Sequence, residues 1–118
     1  MAFYTYILAS GRNGTLYTGS TDDLVERVFE HKEKRFGGFT ANYDVHHLVW
    51  YETYPTRELA FQRERQIKKW NRVWKLELIE KDNPGWNDLH DALRLGGLSD
   101  ARDWVPPSAD NPEDGEGL

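Results

Sequence analysis

The chain has 118 residues, no cysteine and a formal net charge of −5. That length supports one modest core and not two, and the missing thiols exclude a disulfide scaffold and thiolate chemistry, which fits a reducing compartment and a cytoplasmic protein. No stretch reaches the ~18 apolar residues of a membrane span and the N-terminus has no basic lead, so neither a membrane partner nor a signal peptide is expected.

The charge is unevenly spread. Residues 1–82 carry 13 Lys and Arg against 12 Asp and Glu, whereas residues 83–118 carry 2 against 8. Within the first part, Arg57 to Lys81 holds eight basic and four acidic residues. A weakly basic body with an acidic tail remains compatible with a polyanionic partner.

Phe3 to Ala9 alternates aromatic and β-branched residues, and Leu16 to Gly19 does so again after a gap containing Asn13-Gly14. An Asn-Gly pair between two such runs predicts an antiparallel hairpin. By the two-residue period Tyr4, Tyr6 and Leu8 share a face, as do Tyr17 and Gly19, so the hairpin is expected to bring Tyr6 and Tyr17 side by side. Ser20-Thr21-Asp22-Asp23 reads as a helix start, with Thr21 as N-cap and two acids where the helix dipole favours them. On the helix that follows, Arg27 and His31 are four apart and emerge from one face, flanking the core positions Leu24 and Val28. A phenol, a guanidinium and an imidazole can thus meet at the seam between sheet and helix.

Phe36-Gly37-Gly38 ends that helix. His47 to Tyr54 predicts a third strand, closed by Pro55. Thr56 caps a second helix, Arg57 to about Trp70, whose stripe of Leu59, Ala60, Ile67 and Trp70 contains one anomaly: Glu64 falls inside the stripe that should meet the sheet. A third helix is expected over Arg72 to Lys81, packing through Val73, Leu76, Leu78 and Ile79. Asn83-Pro84 reads as the start of a last helix reaching about Leu95, with Asn83 as its cap. The domain is therefore expected to span residues 1–95. Residues 96–118 form an acidic tail that is largely disordered by composition.

The basic run from Arg63 to Lys75 has two readings. It is the solvated face of an amphipathic helix, or a phosphate-contacting ridge made by Arg63, Arg65, Lys68, Lys69, Arg72 and Lys75. Trp70 and Trp74 are expected in the core. His46, His47 and His90 have no metal-ligand spacing and read as structural.

Taken in order, Tyr4-Thr5-Tyr6, Tyr17-Thr18-Gly19, Arg27, His31, Phe39-Thr40, Arg63-Glu64, Ile67-Lys68 and Asn83-Pro84-x-Trp86 resemble the GIY-YIG nuclease family, in particular its small single-domain members. Tyr4 stands where the motif has its first Gly, and Thr5 and Thr18 where it has Ile. The alternation turns Thr5 away from Tyr6, so these departures bear on packing more than on the phenol. The resemblance covers residues 3 to 90 and agrees with the pattern reading of an α+β fold, a three-stranded antiparallel sheet made of the N-terminal hairpin plus a third strand, flanked by helices.

The resemblance implies a DNA endonuclease that uses one divalent metal, Mg²⁺ or Mn²⁺. It implies Glu64 as metal ligand, Arg27 as the fixed charge on phosphate, Tyr6 as general base, Tyr17 as the group that positions water or phosphate, His31 as the group that takes the Tyr6 proton onward or polarises Tyr17, and Asn83 in an auxiliary role. A phenol near its reference pKa of ~10 is a poor base at neutral pH, so neighbouring positive charge has to favour the phenolate. The alternative, from a different class, is a nucleic-acid-binding or protein-interaction module on the same fold without turnover.

Overall fold

The computed structural model describes residues 2–33 and 44–91. The Gly37-Gly38 stop, Phe39-Thr40, most of the expected last helix and the acidic tail lie outside the described residues.

The expected hairpin forms from β1 (Phe3–Ala9) and β2 (Leu16–Thr21). Its loop is wider than a two-residue Asn-Gly turn. The Ser10 amide donates to the Thr15 carbonyl at 3.0 Å, Gly14 N to Gly11 O at 2.9 Å, and Asn13 takes the positive φ of 57°. The third strand, β3 (His47–Tyr54), pairs antiparallel with the other side of β1, giving the order β2-β1-β3. A bulge between Ile7 and Leu8 in that pairing sets Ile7 opposite Trp50 and Leu8 opposite Leu48. The extra residue, Val49, joins Trp50 in the same buried cluster.

Helix α1 (Leu24–Lys32) covers one face of the sheet, where Leu24 and Val28 pack with Tyr6, Leu8, Leu48 and Tyr51. Its N-cap is Asp23, which accepts from Glu26 N at 3.2 Å, and not Thr21. The Thr21 hydroxyl accepts from Asp23 N at 3.1 Å and so shapes the turn before the cap. The other face is covered by α2 (Arg57–Lys68) and α3 (Arg72–Asp82), capped by Thr56 and Asn71. Ile7, Ala9, Val49 and Trp50 meet Ile67, Trp70, Trp74, Leu78, Ile79 and Trp86 there. Thr5 is on this face too, and its hydroxyl donates to the Ala60 carbonyl at 2.7 Å, pinning α2 to the central strand.

Three expectations of packing change. Leu59 and Val73 are exposed, whereas Arg63 is buried on α2 and Trp74, as expected, on α3. Asn83 closes α3 as its C-cap instead of opening a new helix, and helical structure resumes only at His90. The reason is the β3 bulge: Asn83 Nδ2 donates to Val49 O at 3.1 Å and to Asn87 O at 2.9 Å, while its Oδ1 accepts from Asn87 N at 3.0 Å.

Candidate active site

Strand alternation puts Tyr6, Tyr17 and Gly19 on the α1 face of the hairpin. Tyr6 is directly opposite Gly19, and Tyr17 is opposite Leu8, so the two phenol rings meet on the diagonal with centroids 6.4 Å apart. Gly19 makes this possible. A Cβ there would lie 2.7 Å from the Tyr6 phenol oxygen, closer than real atoms approach, and in a tight contact of 3.1 Å with a Tyr17 ring carbon. His31, on the buried stripe of α1, completes the cluster with its ring 6.2 Å from Tyr6 and 5.4 Å from Tyr17. Its Nε2 is 3.4 Å from the Tyr6 oxygen. Arg27, one turn earlier, is partly exposed and has Glu30 3.6 Å away.

The electrostatics follow from enclosure. Burial, and then the neighbouring Tyr17, push the Tyr6 phenol well above the ordinary tyrosine range; the charge and hydrogen bond of Arg27 oppose this, and the Glu64 carboxylate adds to it. Tyr6 is therefore held protonated at neutral pH. Burial, and then the Arg27 charge, lower His31 to about 4, so its imidazole is neutral at pH 7. A general base at Tyr6 requires surroundings that favour the phenolate. Within the protein alone they favour the phenol, because desolvation outweighs one guanidinium.

Glu64 reaches the cluster from the opposite side of the sheet. It lies on the buried face of α2, 8 % exposed, and Oε1 accepts from the Ser20 hydroxyl at 2.6 Å. Ser20 alternates to the α2 face of the edge strand β2, directly after Gly19 on the α1 face. The two halves of the site thus wrap around β2, and their separation is small enough for the Glu64 charge to act on Tyr6. Glu64 Oε2 pairs with Lys68 Nζ at 2.6 Å.

Ser20 was not singled out from the sequence, although the alternation that follows Tyr17-Thr18-Gly19 carries the signal. Asn83 does not join this group through its amide, both hydrogens of which go to the β3 bulge and to Asn87.

The expected basic ridge is divided. Arg63 is not on it: the side chain is 7 % exposed and its Nε donates at 2.9 Å to Glu52, which is fully buried on β3. Nη1 donates to Gln66 at 2.6 Å, and the guanidinium lies 5.2 Å over the Trp70 ring. Arg65 and Lys69 line an open cleft with Tyr54, Leu59, Gln62 and Gln66, and the Arg63 side chain forms part of its wall. Lys68, Arg72 and Lys75 gather on the Glu64 side. There burial, and then the Arg72 and Lys68 charges, pull the Lys75 ammonium below the usual lysine range. Arg72 also donates to the Asn13 and Gly14 carbonyls at 2.8 and 2.7 Å, which ties α3 to the hairpin loop.

Among the described residues no group of three or more His, Cys, Asp or Glu gathers to hold a metal. A single carboxylate suits a hard, strongly hydrated cation that keeps most of its water, and is a poor match for zinc. A cation already stands against Glu64, in the form of the Lys68 ammonium. The donor set thus fits a hydrated Mg²⁺ or Mn²⁺.

This arrangement defines a class of small α+β domain in which polar groups from both faces of the sheet are brought together around an edge strand. Residues 2–77 match the GIY-YIG catalytic domain. The chain is 35 % identical over 78 residues to a UPF0213 protein of Staphylococcus epidermidis and 36 % identical over 78 residues to one of Staphylococcus aureus, in each case across 66 % of this chain and 94 % of the relative. The solution NMR structure of a UPF0213 protein from Bacillus halodurans is similar with a TM-score of 0.47 and 26 % identity, covering 83 % of this chain and all of that one. The protein belongs to the GIY-YIG nuclease family, whose members generally depend on a divalent metal. No described helix is long and apolar enough to cross a membrane.

Proposed function

We propose that this protein is a divalent-metal-dependent endonuclease that hydrolyses DNA phosphodiester bonds in the cytoplasm. The observation that carries this reading is the meeting of Tyr6, Tyr17 and His31 on one side of β2 with the buried Glu64 on the other. A packing role explains each tyrosine by itself. It does not explain a carboxylate turned inward to a strand hydroxyl.

In this reading Glu64 holds Mg²⁺ or Mn²⁺, with Ser20 fixing the carboxylate's rotamer. The bound metal supplies positive charge that stabilises the phosphorane and lowers the proton affinity of nearby oxygens. Arg27 is permanently protonated and forks onto a non-bridging phosphate oxygen, countering the charge that develops there. Tyr17 orients the attacking water. Tyr6 takes the water proton as the new P–O bond forms, and the leaving sugar oxygen takes a proton from solvent as its bond to phosphorus breaks. Tyr6 is protonated at rest, so its own proton must first leave; Arg27 and a bound metal would lower its affinity for that proton, and His31, with Nε2 3.4 Å away, would relay it out of the pocket. Lys68, Arg72 and Lys75 extend the positive surface along the backbone on the Glu64 side.

The test is cleavage of a panel of duplex, branched and single-stranded DNA with Mg²⁺ or Mn²⁺ against EDTA. Glu64→Ala and Arg27→Ala should each reduce metal-dependent cutting by about 10²-fold or more while the proteins stay folded. Cutting that survives Glu64→Ala removes this site. Salt-dependent DNA binding with no cutting in any metal replaces the enzyme with a binding module on the same fold.

A further inference from the structure

Both oxygens of Glu64 are engaged in the free protein, by partners of unequal permanence. Ser20 belongs to β2 and accompanies the strand. Lys68 reaches in from solvent: its side chain is 51 % exposed against 11 % for Glu64. Its flexible four-carbon stem gives it other rotamers to adopt. Lys68 supplies a counter-charge to this enclosed carboxylate. The Lys68 ammonium is close enough to Lys75 for the two like charges to oppose each other, and Arg72 bears on Lys75 in the same way. It is therefore held inward by one bond and drawn outward by any anion laid along Arg72 and Lys75.

We propose that Lys68 is an internal competitor for the divalent cation, occupying Glu64 Oε2 in the free protein and giving it up when metal and a DNA phosphate arrive together. This rests on Glu64 as the metal ligand. One cation exchanges for another at Oε2, Ser20 stays on Oε1, and the released ammonium moves to backbone phosphate. Lys68 thus lowers metal affinity in the absence of DNA and couples the two binding events. By linkage, DNA tightens metal and metal tightens DNA by the same factor.

The test is a Mn²⁺ titration of the full-length chain without DNA, read by electron paramagnetic resonance, for the wild type, Lys68→Met, Lys68→Arg and Glu64→Gln, with circular dichroism as the check on folding. Lys68→Met should bind Mn²⁺ more tightly by on the order of fivefold, the worth of a partly exposed ion pair. Lys68→Arg should stay near the wild type, and Glu64→Gln should lose the site. Lys68→Gln serves as a second variant if the methionine form does not fold. Unchanged or weaker binding in the neutral Lys68 variants, with the site still lost in Glu64→Gln, overturns the competitor while leaving Glu64 as ligand. Mn²⁺ binding that is indifferent to Glu64→Gln removes the ligand assignment and the competitor with it.

Discussion

Gly19 leaves the space that the Tyr6 phenol occupies, and His31 closes that space from α1. Replacing Gly19 by Ala puts a methyl group 2.7 Å from the Tyr6 oxygen and 2.8 Å from its ring carbon, so either the strand or the ring must shift. Overpacking of this kind costs about 1–3 kcal/mol, which urea unfolding will read, and cleavage should fall by more than the stability loss explains. His31 gives a pH signature. Its folded pKa, about 4, lies below its ordinary value of 6.5, so between these limits the unfolded chain binds the extra proton. Its contribution to stability is complete above pH 6.5 and lost as pH falls toward 4, by no more than about 3 kcal/mol. His31→Gln should flatten the stability curve across that window in denaturant titrations. At this scale much was legible: the Tyr-x-Gly pattern and the four-residue spacing of Arg27 and His31 named the groups that meet. The direction of the Tyr6 shift was not, because it depends on how completely α1 and Tyr17 exclude water.

The helices show where reading stops. Thr56 and the stripe through Ala60 and Ile67 identified α2, and the position of Glu64 within that stripe correctly marked it as buried. Arg63 carried no such mark, because its partner Glu52 lies on another element and nothing local announces the pair. Likewise Asn83 looked like a helix cap until the β3 bulge freed the Val49 carbonyl for it. The pair gives a sharp expectation. Arg63→Met leaves Glu52 buried without its counter-charge and should cost about 3–5 kcal/mol in unfolding experiments. If the variant is kept folded by low temperature, the salt dependence of its DNA binding should match the wild type, as it would not for a phosphate contact.

For the whole molecule, the overall charge of −5 misleads about the surface that matters. The Glu64 side presents Lys68, Arg72 and Lys75, while Arg65 and Lys69 face a separate cleft beside Tyr54. The two groups are distinguishable. Lys75→Ala should lower the slope of log affinity against log salt by about 1, whereas Arg65→Ala should lower it only if DNA crosses both faces. Comparing the two slopes traces the path of the backbone over the domain. The three-stranded sheet and its helices were readable from periodicity and caps. This partition was not, because a run from Arg63 to Lys75 spans two helices and the turn between them.

The division of the site around β2 is also a division in time. A ribosome delivers Tyr6, Tyr17, Arg27 and His31 before any of β3 or α2, so these groups leave synthesis with no carboxylate behind them. Glu64 arrives only when α2 docks on the second face of the sheet, and until then the growing polypeptide holds an incomplete centre. Synthesis order thus withholds the last component from a chain that has not yet finished folding.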